Sequence, residues 1–248
     1  MIRVIRTEKP KVLQKLEDKW TAKIHEAVHA ILRVEFALST NNSDNIKKIL
    51  LKSLEKHKVN LDKAKSKYKH PEIKDSLEKK MFHGKCAYCE SFILNVDYGA
   101  IEHFKPKSKF PEEAVKWDNL LLSCNKCNGA EYKGDKWFDE EENGPLLNPC
   151  NDNDDPQIFF EFIFDENTQI AIVRPNNDRA RLSEETYGLN KYELVQHRNK
   201  YVRYLVVLAS YYHSDNRAKL LLDEATKDSG EYAAFARMVK QKYTSGNP

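Results

Sequence analysis

Two Cys-x2-Cys pairs, Cys86-Ala-Tyr-Cys89 and Cys124-Asn-Lys-Cys127, stand 34 residues apart in the chain. One such turn sets two thiolates about a tetrahedral edge apart. Two of them complete a closed four-thiolate zinc site with Zn–S near ~2.3 Å. A closed site has no open coordination position, so Cys86, Cys89, Cys124 and Cys127 are predicted to hold structural Zn2+. The competing readings are a redox pair or unpaired thiols. A thioredoxin-like pair would need a βαβ context, which the sequence pattern does not offer. Cys150 lies beyond the second pair in an acidic stretch and reads as a spare thiol.

The pairs bracket a polar constellation: Glu102-His103 followed by Lys105, Pro106, Lys107 and Ser108, then Trp117-Asp118-Asn119-Leu120, then Asn128 directly after Cys127. Glu102 and Asn128 offer oxygen donors, which suit a hard cation such as Mg2+. A histidine beside that cation could deprotonate a water, and the cation could stabilise a leaving oxyanion. A lone histidine is more often structural than catalytic, so from chemistry alone this is one option among several.

Around these residues the elements are predicted to be helical. The chain has 248 residues, 41 Lys+Arg, 38 Asp+Glu, a net charge of +3 and a mean hydropathy of −0.72. No apolar run approaches the ~20 residues of a membrane span. The first residues lack the apolar core of a secretory signal, so no membrane association and a cytoplasmic location are expected. Charge is unevenly spread. Residues 1–80 hold 20 basic and 11 acidic residues, net +9, whereas residues 138–190 hold 3 and 13, net −10. The basic front can attract phosphate, although Lys-rich solvated helix faces are common. The acidic 138–190 stretch repels phosphate and is a candidate docking surface, to be tested by charge reversal in 139–142.

In the first 80 residues, Val12, Leu13, Leu16, Trp20, Ile24, Ala27, Val28, Ile31 and Leu32 follow helical spacing, with Pro10 at the first helical position. Asn41-Asn42-Ser43 breaks the pattern and offers caps for a second helix striped by Ile46, Ile49, Leu50, Leu54 and Leu61. A third helix begins at Pro71. Both stripes are expected to pack as core. Residues 158–164 and 169–173 read as a β-hairpin. Helices follow, the first capped by Ser183, the long one marked by Leu194 to Ala209, and two more around Leu220–Ala225 and Tyr232–Val239. Three regions result: an N-terminal helical region 1–80, a zinc-bearing module 81–150, and a β-hairpin with C-terminal helices over 151–248.

The order of these motifs resembles the HNH nucleases, the ββα-metal superfamily. The three signature positions map onto His103, Asn119 and Asn128. More narrowly, KCAYCE (85–90), IEHFKPKS (101–108), WDNLLLSCNKCN (117–128), GPLLNP (144–149) and YGLNKYELVQHR (187–198) resemble the PtuB-like HNH proteins of Septu and related retron anti-phage systems. The resemblance implies an α+β, mostly helical fold: a central ββα-metal module with a four-cysteine zinc site, flanked by N- and C-terminal helices.

It also implies roles. His103 resembles the general base, and Glu102 occupies the first metal-ligand position, more often Asp. Asn128 stands where many members carry His and resembles the second ligand. Asn119 resembles the middle Asn that orients the histidine loop through backbone hydrogen bonds. The Glu and Asn choices favour Mg2+ or Mn2+ over catalytic Zn2+. A lysine commonly follows the last signature residue closely; here Lys133 and Lys136 come later, so no phosphate-contacting lysine is assigned.

The implied activity is a metal-dependent endonuclease acting on nucleic acid, with DNA favoured and an RNA (tRNA) target of a retron-type system as the alternative. The implied partner is a PtuA-like ABC/SMC-type ATPase in a hetero-oligomer. No G-x4-G-K-[ST] occurs in the chain, so ATP control must come from outside. A catalytically silent zinc module that only binds nucleic acid, and an interaction protein, are the competing classes.

Overall fold

The computed structural model describes residues 1–93, 99–138 and 146–245. The acidic 139–142 stretch and the first residues of GPLLNP lie outside them. The chain is mostly helical and divides into two compact units. One comprises Met1–Arg6, Glu78–Ala100 and Leu122–Pro248; the other comprises Thr7–Leu77 and Ile101–Leu121. Among the described residues no helix is long and apolar enough to cross a membrane.

The second unit is built on two long helices, α1 (Lys11–Thr40) and α2 (Asp44–Lys65), followed by a 3-10 turn at Ser66–Lys69 and the short α3 (Pro71–Asp75). Pro10 is the residue before α1 rather than its first member. Its fixed φ and missing N–H cost nothing there. The expected stripe of α1 is buried only over its N-terminal half, at Val12, Leu13, Trp20, Ile24 and Ala27.

The stripe of α2 is a correction. None of its residues is buried, and Ile46 and Ile49 are 44% and 68% exposed. In a helical hairpin α2 packs chiefly on α1, and the far half of α1 is itself exposed at Leu32 and Phe36. Helical spacing alone therefore does not report what lies opposite a stripe.

Strands β1 (Ala100–His103) and β2 (Leu120–Ser123) pair with each other, and the chain passes from one unit to the other inside both. The loop between them contains 3-10 turns at Pro111–Glu113 and Trp117–Asn119. After β2, residues 124–135 wind through successive turns rather than a regular helix. A single helix-like bond, Asn128 N–H to Cys124 O at 3.1 Å, opens them. Gly134 at φ +38° turns the chain away from the helical track.

In the first unit, α4 (Pro156–Phe159) leads into a hairpin of β3 (Phe160–Asp165) and β4 (Ile170–Pro175), antiparallel with Phe160 opposite Pro175 and Asp165 opposite Ile170. Phe160, Phe164, Ala171 and Val173 point to the core with the period of two that a one-sided sheet requires. Helices α5 (Asp178–Tyr187), α6 (Tyr192–Ser210), α7 (Asn216–Ala225) and α8 (Ala233–Thr244) follow. The cap of α5 is Asn177, whose Oδ1 accepts the Ala180 N–H at 2.8 Å. Ser183 instead lies inside the helix, buried, and its Oγ accepts the Leu147 N–H at 2.9 Å.

Arg198 on α6 is 2% exposed and donates to the carbonyls of Ala171 (3.1 Å) and Leu189 (2.9 Å). Burial pulls its pKa down to about 10. The side chain of Asn190 bonds both the N–H and the C=O of Val173, so Asn190 and Arg198 together satisfy backbone groups of β4.

Gly230 places its backbone hard against the end of α7. An ideal Cβ there would lie 2.2 Å from the Ala225 carbonyl oxygen. Gly230→Ala is expected to cost about 1–3 kcal/mol by forcing backbone movement. A thermal melt should show Tm lowered by several degrees, with metal content retained.

Candidate metal and histidine sites

The cysteine site lies wholly in the first unit. Lys85 and Phe92 form a bridge that folds residues 85–92 into a tight turn, closed by Cys86 N–H to Ser91 O at 3.0 Å. Cys86 and Cys89 lie on this turn. Cys124 and Cys127 lie on the turn after β2, and Ala87 N–H to Leu122 O at 2.8 Å ties the two together. The four sulfurs lie within 4.8 Å of one another, with Cys86, Cys89 and Cys127 buried. A tetrahedron with Zn–S near ~2.3 Å has edges of about 3.8 Å, so four thiols at this spacing fit a zinc ion with little adjustment. Cys150 stands outside the cluster.

The electrostatics of the cluster ask for a cation. Burial pushes the Cys86 thiol well up, while hydrogen bonds from Cys124 and Cys127 hold Cys89 well below the ordinary thiol range. Negative charge is therefore favoured on sulfurs that are largely buried. Lys191 answers part of it: its Nζ donates to Cys127 Sγ at 3.1 Å. Burial acts to lower the Lys191 pKa, but the sulfur charges outweigh it and the net shift is upward. Tyr88, inside the first Cys-x2-Cys turn, stacks on Tyr187 of α5 with centroids 4.1 Å apart, and the Tyr187 hydroxyl donates to Leu147 O at 2.7 Å. That stack anchors the knuckle to the C-terminal helices.

The histidine site lies in the second unit, at the end of β1. Glu102 and His103 are both buried, each 4% exposed. His103 Nε2 is 2.9 Å from the Ala114 carbonyl oxygen. A carbonyl only accepts, so Nε2 carries the proton, and the neutral ring then has its lone pair on Nδ1. Tyr68, on the 3-10 turn after α2, meets the imidazole edge-on with centroids 4.5 Å apart at 87°.

Asn119 clamps the loop that carries His103. Its Oδ1 accepts the Lys105 N–H at 2.6 Å, and its Nδ2 donates to the carbonyls of Lys105 (3.0 Å) and Glu113 (3.1 Å). Its backbone carbonyl accepts the Phe104 N–H at 3.0 Å. Asn119 is itself held through Trp117. The Trp117 N–H donates to Glu17 Oε2 at 3.1 Å, and its indole donates to the Thr7 carbonyl at 3.2 Å. Glu17 is 7% exposed on α1, with Lys9 Nζ 2.8 Å from its Oε1.

The structure thus gathers Glu102, His103 and Asn119 in one unit and places Asn128, half-buried, with the cysteines in the other. Glu102 and Asn128 present oxygen donors, the chemistry a hard cation takes. Lys133 is fully buried and Lys136 exposed. Tyr68, Glu17 and Lys191 escaped the sequence reading. Each acts across a long stretch of chain, and no local spacing marks it.

Residues 86–134 match the HNH endonuclease family. Over 158 residues the chain is 35% identical to the Septu protein PtuB of Bacillus mycoides (strain KBAB4), covering 54% of this chain and 52% of that one. Over 93 residues it is 37% identical to the Septu protein PtuB of Bacillus thuringiensis, covering 37% and 34%. The chain spans about half the length of the first relative and a third of the second. No solved structure matches.

Cys86→Ser is expected to strip zinc and unfold the first unit, read by metal analysis and circular dichroism. Lys191→Met should stay folded but bind zinc about tenfold more weakly in a chelator competition, the usual scale for an outer-shell partner. Glu17→Ala leaves the Trp117 N–H and Lys9 without their acceptor. Chemical denaturation should show a loss of about 1–3 kcal/mol with zinc content unchanged.

Proposed function

We propose, for a chain whose residues 86–134 match the HNH endonuclease family and which is similar over part of its length to Septu PtuB proteins, that it is a metal-dependent endonuclease hydrolysing nucleic-acid phosphodiester bonds. In this reading it is the nuclease of a bacterial anti-phage complex, restrained by a PtuA-like ATPase, and its target is DNA. The observation that carries the reading is the state of His103: a buried imidazole whose Nε2–H is spent on the Ala114 carbonyl, leaving Nδ1 as the basic atom.

The chain's own residues then have these tasks. His103 Nδ1 takes a proton from the attacking water, whose oxygen bonds to phosphorus as the P–O bond to the leaving oxygen breaks. Asn119 holds the 104–105 and 113 backbone, so that the Ala114 carbonyl and the imidazole keep their register. Glu102 and Asn128 are the residues that would hold Mg2+ or Mn2+. When bound, that ion supplies charge stabilisation for the departing oxyanion. The four cysteines hold Zn2+ for stability and take no part in the chemistry.

The test is to incubate the protein, with and without its ATPase, with plasmid DNA, phage DNA and total tRNA in Mg2+. Cutting of DNA, abolished by EDTA and by His103→Ala in a protein that still melts and binds zinc as the parent does, is the expected result. Cutting by His103→Ala at the parent rate would refute the assignment of the base. Cutting of tRNA alone would move the target to RNA. Asn119→Ala should lower kcat by at least about tenfold through misplacement of the histidine loop.

A further inference from the structure

A groove of about 460 Å³ runs between α1 and α2, entirely within the second unit. It opens where small side chains, Ala27 on α1 and Ala64 on α2, face it and keep bulk out of the gap between the helices. Four cations line it: Lys23 and Arg33 from α1, Lys63 and Lys67 at the end of α2 and just beyond. The single lining acid is Glu26, so the groove carries a net +3 from its formal charges.

Among the described residues none of the four cations is in an ion pair. Lysines elsewhere in the same unit do find partners: Lys65 meets Asp62 at 3.1 Å and Lys9 meets Glu17 at 2.8 Å. Like charges left uncompensated along one concavity produce a field that a solvated mixed-sign helix face does not.

The groove also points to the histidine. Lys67 lines it, and the next residue, Tyr68, packs edge-on against His103 at 4.5 Å. Two more cations flank that tyrosine. Lys107 Nζ lies 5.3 Å and Lys69 Nζ 5.9 Å from the ring centroid. The cations therefore continue from the helix groove to the ring that covers the imidazole.

From Lys23 to Arg33 the helix rises about 15 Å. At ~3.4 Å per nucleotide of a stacked strand, that length matches about four phosphates. We propose that the α1–α2 groove binds the phosphate backbone of the nucleic-acid substrate and leads it to His103, past Tyr68. The proposal rests on the nuclease reading above and adds the track by which the substrate reaches that site.

The test measures binding separately from cleavage. In the full chain carrying His103→Ala, short fluorescein-labelled oligonucleotides are titrated at several KCl concentrations and followed by anisotropy. The probes are single-stranded DNA, duplex DNA and RNA. The groove variant combines Lys23→Gln, Arg33→Gln, Lys63→Gln and Lys67→Gln. All four side chains are exposed, so the fold should be retained.

Removing four phosphate contacts should raise Kd more than about tenfold at low salt and flatten the slope of log Kd against log salt by about 3. The probe with the largest groove-dependent loss identifies the strand chemistry. A control removing the same charge outside the groove, Lys47→Gln, Lys48→Gln, Lys52→Gln and Lys58→Gln, should shift Kd no more than about twofold. With His103 intact, the groove variant should raise KM while kcat at saturating substrate holds.

A groove variant whose Kd and salt slope match the parent overturns the track, whether or not the wild-type protein cuts. So does a control variant that costs as much as the groove variant. Groove-dependent binding by a wild-type protein that never cuts supports the track and refutes the nuclease reading alone.

Discussion

A carboxylate taken out of water must find hydrogen bonds and a counter-charge, or the segment that carries it folds elsewhere. Glu17 is that carboxylate in the second unit. It draws its charge partner from Lys9, and it takes the backbone N–H of Trp117, 100 residues further along the chain. Trp117 opens the short turn that ends in Asn119. Asn119 then spends every polar atom of its amide on the loop around His103. One buried acid on a long helix thus sets, through two further residues, the backbone that presents the imidazole. Helix α1 is as much a part of the histidine site as the strand that carries it.

In the first unit the equivalent constraint is four sulfurs crowded within 4.8 Å of one another, three of them on buried cysteines. The chain's own answer to their mutual charge is Lys191 at the rim, and four thiolates so placed could hold a divalent ion at the centre. The Tyr88–Tyr187 stack and the Arg198 network couple the knuckle and the β-hairpin to the C-terminal helices. These contacts explain why the 187–198 segment is dense in polar residues although much of it is buried. Asn190 and Arg198 answer backbone groups of β4 and of the turn before α6, Tyr187 the Leu147 carbonyl, Lys191 the Cys127 sulfur and His197 the Tyr232 hydroxyl.

The parts legible in the sequence were those specified locally. Cysteine spacing announces the metal cluster because two ligands three residues apart need only one turn. The hairpin at 160–175 and the long helix after Tyr192 follow from periodicity that neighbours did not override. The α5 cap was misread because Ser183 and Asn177 are both capping residues, and only tertiary contact shows which one faces a helix end. The α2 stripe was misread because amphipathicity records which face is apolar, not whether anything covers it. Glu102, His103, Asn119 and Asn128 stand out by type and order. What holds His103 and Asn119 does not, because Glu17 and Trp117 are 100 residues apart and Tyr68 comes from a turn with no motif of its own.

The contact between His103 Nε2 and the Ala114 carbonyl carries one more consequence. That nitrogen is a donor whether the ring is neutral or doubly protonated, so the bond survives both states. A proton gained or lost at Nδ1 therefore leaves the Nε2–carbonyl bond in place. The ring's orientation toward the Ala114 carbonyl is therefore independent of its charge. An acceptor that was itself titratable, such as a carboxylate in place of the peptide carbonyl, would tie the ring's orientation to its own charge and forfeit that independence.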